Sequence, residues 1–156
     1  MKRKKSWQEK LFDSKDLPKV IDIDERMSKR WGSGTCIIPA PIEVDEIMKK
    51  VPKGKLITIN RIRETLAQKH SATIGCPITT GIFAWIAAHA AEEMISEGKK
   101  RITPYWRTLK SDGALNEKYP GGVEAQSEKL KKEGFVIERP KSKKPPKVKD
   151  YEKYLV

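Results

Sequence analysis

The chain has 156 residues, 37% of them apolar and 35% charged, with a formal net charge of +12. That mix fits one modest hydrophobic core with polar ends, and the longest apolar stretch, Ile82 to Ala91, is broken by His89 and too short to span a bilayer. A charge this large favours a polyanion such as nucleic acid or an acidic membrane face, the plainer alternative being a merely basic soluble protein.

Met1 to Lys5 is basic, but no apolar run follows, so no secretory signal is expected and the chain reads as soluble and cytoplasmic. Residues 1–40 form a charge-dense extension. Trp7, Leu11 and Phe12 sit at helical spacing, as do Ile23, Met27 and Trp31, which predicts two short helices separated near Leu17-Pro18. Cys36 to Pro41 reads as extended. The cysteines, Cys36 and Cys76, are too few for a disulfide framework and lack zinc-site spacing, and only His70 and His89 add soft ligands. No metal and no other cofactor is expected.

From Pro41 the pattern sharpens. Val44, Ile47, Met48 and Val51 predict an amphipathic helix over 43–51, and Pro52 to Lys55 predicts a turn. Thr58 has the chemistry of an N-cap for a helix carrying Ile59, Ile62 and Leu66 and ending near His70. After a loop at 71–77, a longer helix starts at Ile78 or Thr79 and runs to Ser96, where Glu97-Gly98 stops it. Two helices joined by a compact loop suggest a helix-turn-helix. On the second helix Gly81, Ala84, Ala88 and Ala91 share one face, with Ile82, Trp85, Ile86 and His89 opposite. Small side chains on such a face suit either tight helix packing or close approach to a DNA groove, and composition does not choose between them. Residues 99–119 read as irregular, with a turn at Lys110 to Gly113. A helix over Val123 to Lys132 and a strand over Phe135 to Glu138 follow. Arg139 to Lys149 holds six basic residues, three prolines and no acid, a solvated tail or a phosphate-tracking arm, and Tyr151, Tyr154 and Leu155 suggest that the extreme end docks back.

Three segments occur in an order that resembles one family. They are Val51-Pro52-Lys53-Gly54-Lys55-Leu56-Ile57-Thr58, then Thr103-Pro104-Tyr105-Trp106-Arg107 running on to Leu115, then Tyr119-Pro120-Gly121-Gly122 before a helix closing on Lys132-Glu133-Gly134. Over roughly 41–135 the chain is similar to the DNA-binding domain of the O6-alkylguanine-DNA alkyltransferases (methylated-DNA–protein-cysteine methyltransferases). The resemblance implies a mainly α (α+β) fold, a winged helix-turn-helix-like domain of the alkyltransferase C-terminal type over 41–138. A helical extension at 1–40 and a basic, Pro-rich tail at 139–156 flank it.

In that family Pro104-Tyr105-Trp106-Arg107 corresponds to Pro-Cys-His-Arg, where the cysteine takes the alkyl group from a flipped guanine. Tyr105 stands at the cysteine position and Trp106 at the histidine position. A phenol with a pKa near about 10 beside an indole has neither a thiolate nor a base, so alkyl transfer at this position is not expected. The chain thus resembles the alkyltransferase-like subgroup, which binds alkylated DNA without repairing it. By that resemblance Ile59, Pro104, Tyr105 and Trp106 would surround a flipped base, Tyr105 being either a wall of an open pocket or a filler of the old one. Thr79, Thr80, Gly81, Ala84, Arg107, Ser111, Tyr119, Gly121 and Gly122 would contact duplex DNA, the long helix entering the minor groove. Ile59 stands where the family has a tyrosine that rotates the nucleotide, Thr80 where it has an arginine finger, and His89 where it has an asparagine. Glu133 matches the glutamate of the family's Cys-His-Glu network. Residues 91–99 lengthen the long helix by comparison. Double-stranded DNA, O6-alkylguanine-containing DNA included, and repair-pathway proteins are the implied partners, with no membrane. Two alternatives stay open: a thiol-dependent alkyltransferase using Cys76 at the start of the long helix, and an adaptor for nucleic acid or protein without lesion recognition.

Overall fold

The computed structural model describes residues 4–156, so Met1 to Arg3 of the basic start lie outside the described residues. Ser6 caps α1 (Trp7–Phe12) by accepting from the Glu9 amide, and Asp24 caps α2 (Glu25–Trp31) through the Met27 amide. Both expected helices of the extension are present. Between and after them run β1 (Lys19–Asp22) and β2 (Thr35–Ile38), paired antiparallel with Val20 opposite Ile37. The extension is therefore helix and strand together, because the β-branched residues of 20–23 pair with the stretch at 35–38 instead of extending a helix.

Helix α3 (Pro41–Lys49) opens on a proline at its first turn, where a missing N–H costs nothing, and Glu43 accepts from the Ala40 amide at 3.0 Å. It starts two residues before the expected boundary for that reason. Strand β3 (Ile57–Thr58) leads into α4 (Ile59–Lys69), and the Thr58 hydroxyl accepts from the Arg61 amide at 3.3 Å. The connection to the next helix carries β4 (Ile74–Gly75), which pairs parallel with β2 and completes a three-stranded sheet ordered β1-β2-β4. Gly75 is required there: a Cβ would lie 2.6 Å from the backbone oxygen of Arg63.

Helix α5 (Pro77–Ser96) is the centre of the molecule. Its Ala84, Ala87, Ala88, Ala90 and Ala91 are all buried, so α1, α3 and α4 approach closely and pack Leu11, Val44, Met48, Ile62 and Leu66 against it. A short 3-10 turn (Tyr105–Arg107) follows, then β5 (Thr108–Leu109), parallel to β3. Helix α6 (Gly122–Lys132) begins after Gly121, whose φ of +78° suits glycine. A second apolar cluster joins Leu56, Leu109, Leu115, Leu130, Phe135 and Val148.

The C-terminal segment divides in two. Arg139 to Lys144 is exposed, whereas β7 (Lys147–Val148) pairs antiparallel with β6 (Ile137–Glu138). The Leu56 amide donates to the Tyr154 carbonyl at 2.9 Å and the Val156 amide to the Leu56 carbonyl at 3.0 Å, so the chain end docks as expected.

Candidate nucleic-acid interface

One side of the first half of α5 is left uncovered. Ile78 is 61% exposed and Ile82 44%, and with Gly81 and Trp85 they recur at the spacing of one helical face. Isoleucine, leucine and phenylalanine are usually buried, so this face is the informative departure. Across from it stands the turn carrying Lys110, Asn116, Glu117 and Lys118, and Ile59 closes one end from the first residue of α4. The cleft between them measures about 770 Å³, within the range of sites that accept a molecule of base size. Its walls are apolar with one amide, and its rim carries two lysines, of which Lys110 pairs with Glu117 at 2.9 Å. Such a mixture suits a flat heteroaromatic ring attached to an anionic backbone.

The cleft wall is held by aromatic packing. Trp85 and His89 lie one turn apart on α5, and the His89 Nε2 donates to the Lys118 carbonyl at 3.1 Å. That bond ties α5 to the opposite wall. Asn116 is positioned through its backbone N–H, which donates to Gln126 Oε1 at 2.8 Å.

Tyr105 is not part of the cleft lining. Its ring is fully buried, edge-on to Trp106 and to Tyr119, and its hydroxyl donates to Glu92 Oε1 at 2.6 Å. Burial, then the Glu92 carboxylate, push the phenol pKa upward, away from any nucleophilic form. Of the two readings left open by the sequence, the buried geometry matches the filler. The aromatic wall of the open cleft is Trp85, a residue plain in the sequence, whose exposure follows only once the buried face of α5 is known.

The neighbouring network is equally closed to thiolate-type chemistry. Trp106 Nε1 donates to Glu133 Oε2 at 2.7 Å, and Arg107 pairs with the same carboxylate at 2.9 Å while donating to the Val51 carbonyl at 2.7 Å. Burial alone would push the Glu133 pKa up; the Arg107 and Trp106 hydrogen bonds outweigh it, and the value is lowered. An indole N–H donates and never accepts, so Trp106 has no lone pair with which to take a proton.

Several residues expected to contact DNA lie in the interior. Thr80 is fully buried and donates its hydroxyl to the Cys76 carbonyl at 2.6 Å. Ala84 is buried with Ala88 and Ala91, which pack against neighbouring helices, whereas Gly81, expected on the same face, lines the cleft, and Ile86, expected on the opposite face, is buried. Tyr119 and Pro104 are buried as well, and Arg107 is consumed by Glu133. Of the remaining residues, Ile59 and Gly81 line the cleft, Ser111 and Gly121 are exposed, and Thr79, Gly122 and Trp106 are partly exposed. Cys76 is buried at the cap of α5, its sulfur accepting from the Thr79 amide at 3.5 Å. It neighbours Cys36, whose pKa is pushed up to about 11, first by burial and then by Cys76. Among the described residues no group of three or more His, Cys, Asp or Glu is placed to hold a metal, and no helix is long and apolar enough to cross a membrane.

Two solved structures share this fold. S. pombe Atl1, crystallised with damaged DNA containing O6-carboxymethylguanine, superposes with a TM-score of 0.53 at 20% identity, covering 74% of this chain and 93% of that one. The chain has the Atl1 fold. A second structure, S. pombe ATL in complex with DNA, gives a TM-score of 0.51 at 18% identity over the same shares. No family model and no curated protein matches the sequence. The Atl1 fold accounts for the mixed helix-and-small-sheet architecture, and at these identities the likeness is one of fold.

Proposed function

We propose that this chain is a noncatalytic, cytoplasmic duplex-DNA-binding protein of the alkyltransferase-like type, which receives an extruded alkylated guanine in the cleft beside α5. The observation that carries this reading is the cleft itself: apolar walls, an amide and a lysine rim, on a chain of net charge +12, in the fold of proteins crystallised on DNA. Ile59 and Gly81 would meet the base or its sugar. Ser111, Gly121, Gly122, Lys110 and Lys118 would meet phosphates, with the exposed lysines at 141, 143 and 144 extending the positive field. The filled Tyr105 position and the donor-only Trp106 support a reader without transfer chemistry.

The test is a titration of plain duplex against a duplex carrying one O6-alkylguanine, at two salt concentrations. The expected result is tighter binding to the lesion duplex, and affinity for both that falls as salt rises, with a log–log slope of roughly −0.9 per phosphate neutralised. Equal affinity for the two duplexes would sink lesion recognition, and salt-independent binding would sink the nucleic-acid reading. Intact mass after incubation with O6-methylguanine DNA should show no adduct; a methyl gain would instead establish transfer chemistry, with Cys76 as the sulfur to examine.

A further inference from the structure

Helix α1 lies outside the segments that resemble alkyltransferases, yet it packs on the second half of α5 immediately beside the cleft. A carboxylate clamps it there. Glu93 on α5 accepts from the Trp7 amide at 2.9 Å and the Gln8 amide at 3.0 Å, while the Gln8 side chain reaches Glu97 at 3.0 Å. Amides at a helix start are a favourable partner for a carboxylate, and their hydrogen bonds hold Glu93 below its ordinary pKa against the opposing effect of burial. This clamp delivers the Trp7 ring to the back of the cleft wall. Trp7 lies edge-on to Trp85 with ring centroids 4.8 Å apart at 78°, and stacks on His89 at 4.4 Å and 23°. His89 is in turn edge-on to Trp85 at 5.5 Å and bonded to Lys118 on the facing wall.

From this geometry we propose that Trp85 is the stacking surface for the purine held in the cleft, and that Trp7 is a positioning residue that sets the Trp85 ring from the N-terminal segment. The occupant is a base extruded from duplex DNA, so the inference rests on the function proposed above. Trp85 is partly exposed and lines the cleft, where the buried Tyr105 does not. Every base offers a π-face, and a tryptophan surface holds one without reading its edge. Such a wall tolerates an altered purine, leaving Asn116 and the lysine rim to supply polar contacts. Trp7 and His89 remove the rotational freedom that Trp85 would otherwise lose on binding.

The experiment compares the unaltered protein with Trp85→Ala, Trp85→Phe, Trp7→Ala and Trp7→Phe on plain and O6-alkylguanine duplexes, with thermal melts of each variant. Trp85→Ala is expected to weaken lesion-duplex binding by roughly 5- to 150-fold, the loss of one base–aromatic stack, and so to narrow the gap between lesion and plain duplex. Trp85→Phe should keep most of the preference but lose the tryptophan-fluorescence quenching that the lesion duplex causes in the unaltered protein. Trp7→Ala should reduce the lesion preference, and Trp7→Phe, which keeps a ring with less disturbance to the fold, should restore it. Folded Trp85→Ala or Trp7→Ala proteins with full discrimination, or a Trp85→Phe protein with undiminished quenching, would overturn the inference and leave the proposed function standing. Absence of any lesion preference in the unaltered protein would defeat the proposed function, and this inference with it.

Discussion

At the scale of single residues, Tyr105, Trp106 and Glu133 are packed side chains whose polar atoms find partners inside the protein. The tyrosine fills its position with a ring and spends its hydroxyl on Glu92, while the indole N–H and the Arg107 guanidinium share the Glu133 carboxylate. The side chains of Arg107 and Glu133 are only 13% and 9% exposed, so the pair behaves as a buried one. Because the Glu133 pKa is lowered from 4.5, the stability it contributes is fully present above that value and is lost as pH falls through the folded-state value. Glu133→Gln should therefore cost about 2 kcal/mol at neutral pH and flatten the stability profile on the acid side. Urea unfolding midpoints between neutrality and about pH 3 read this directly; an unchanged acid slope would mean that other carboxylates control it. The substitutions at 105 and 106 were legible from residue type and motif order. Their buried, mutually bonded arrangement was not, since no local pattern announces that a tyrosine at 105 reaches a glutamate at 92.

At the scale of elements, caps and breakers made the helices readable. Thr58 opens α4 and Ser96 ends α5 where their chemistry predicts, and Pro41 moved one boundary because proline is tolerated inside a first turn. The orientation of α5 was another matter. Its alanine face and its Ile/Trp face are both apolar, so periodicity cannot tell which of them meets the core. Packing chose the alanines, because a central helix with three neighbours needs small side chains toward them, and it took Ile86 inside as well, leaving Ile78, Gly81, Ile82 and Trp85 for the cleft. That choice buries Thr80 and Ala84 and leaves Ile78 and Ile82 exposed and Trp85 partly exposed. Ala88→Leu should destabilise the protein by about 1–3 kcal/mol through overpacking, measured as a lower melting temperature. A neutral effect would indicate slack around α5 that the fully buried Ala88 does not show.

At the scale of the whole molecule, both ends belong to the fold. Strands β1 and β2 join the sheet that also holds β4 of the helix connection, and the last residues pair with Leu56. Removing residues 139–156 deletes the buried Val148 and the backbone pairs of Tyr154 and Val156, so a loss of about 3 kcal/mol or more is expected in urea unfolding. A truncated chain as stable as the full one would return this segment to the role of a solvated tail. Taken by itself, the sequence determined the charge, the positions of the helices and the presence of a tyrosine and a tryptophan at 105 and 106, because each is written in residue type and short-range spacing. Only the tertiary structure decided which side of α5 is open, that Tyr105 is interior, and that Trp7 stands behind Trp85. Those depend on residues far apart in the chain competing for the same buried volume, and that competition leaves no trace in local order.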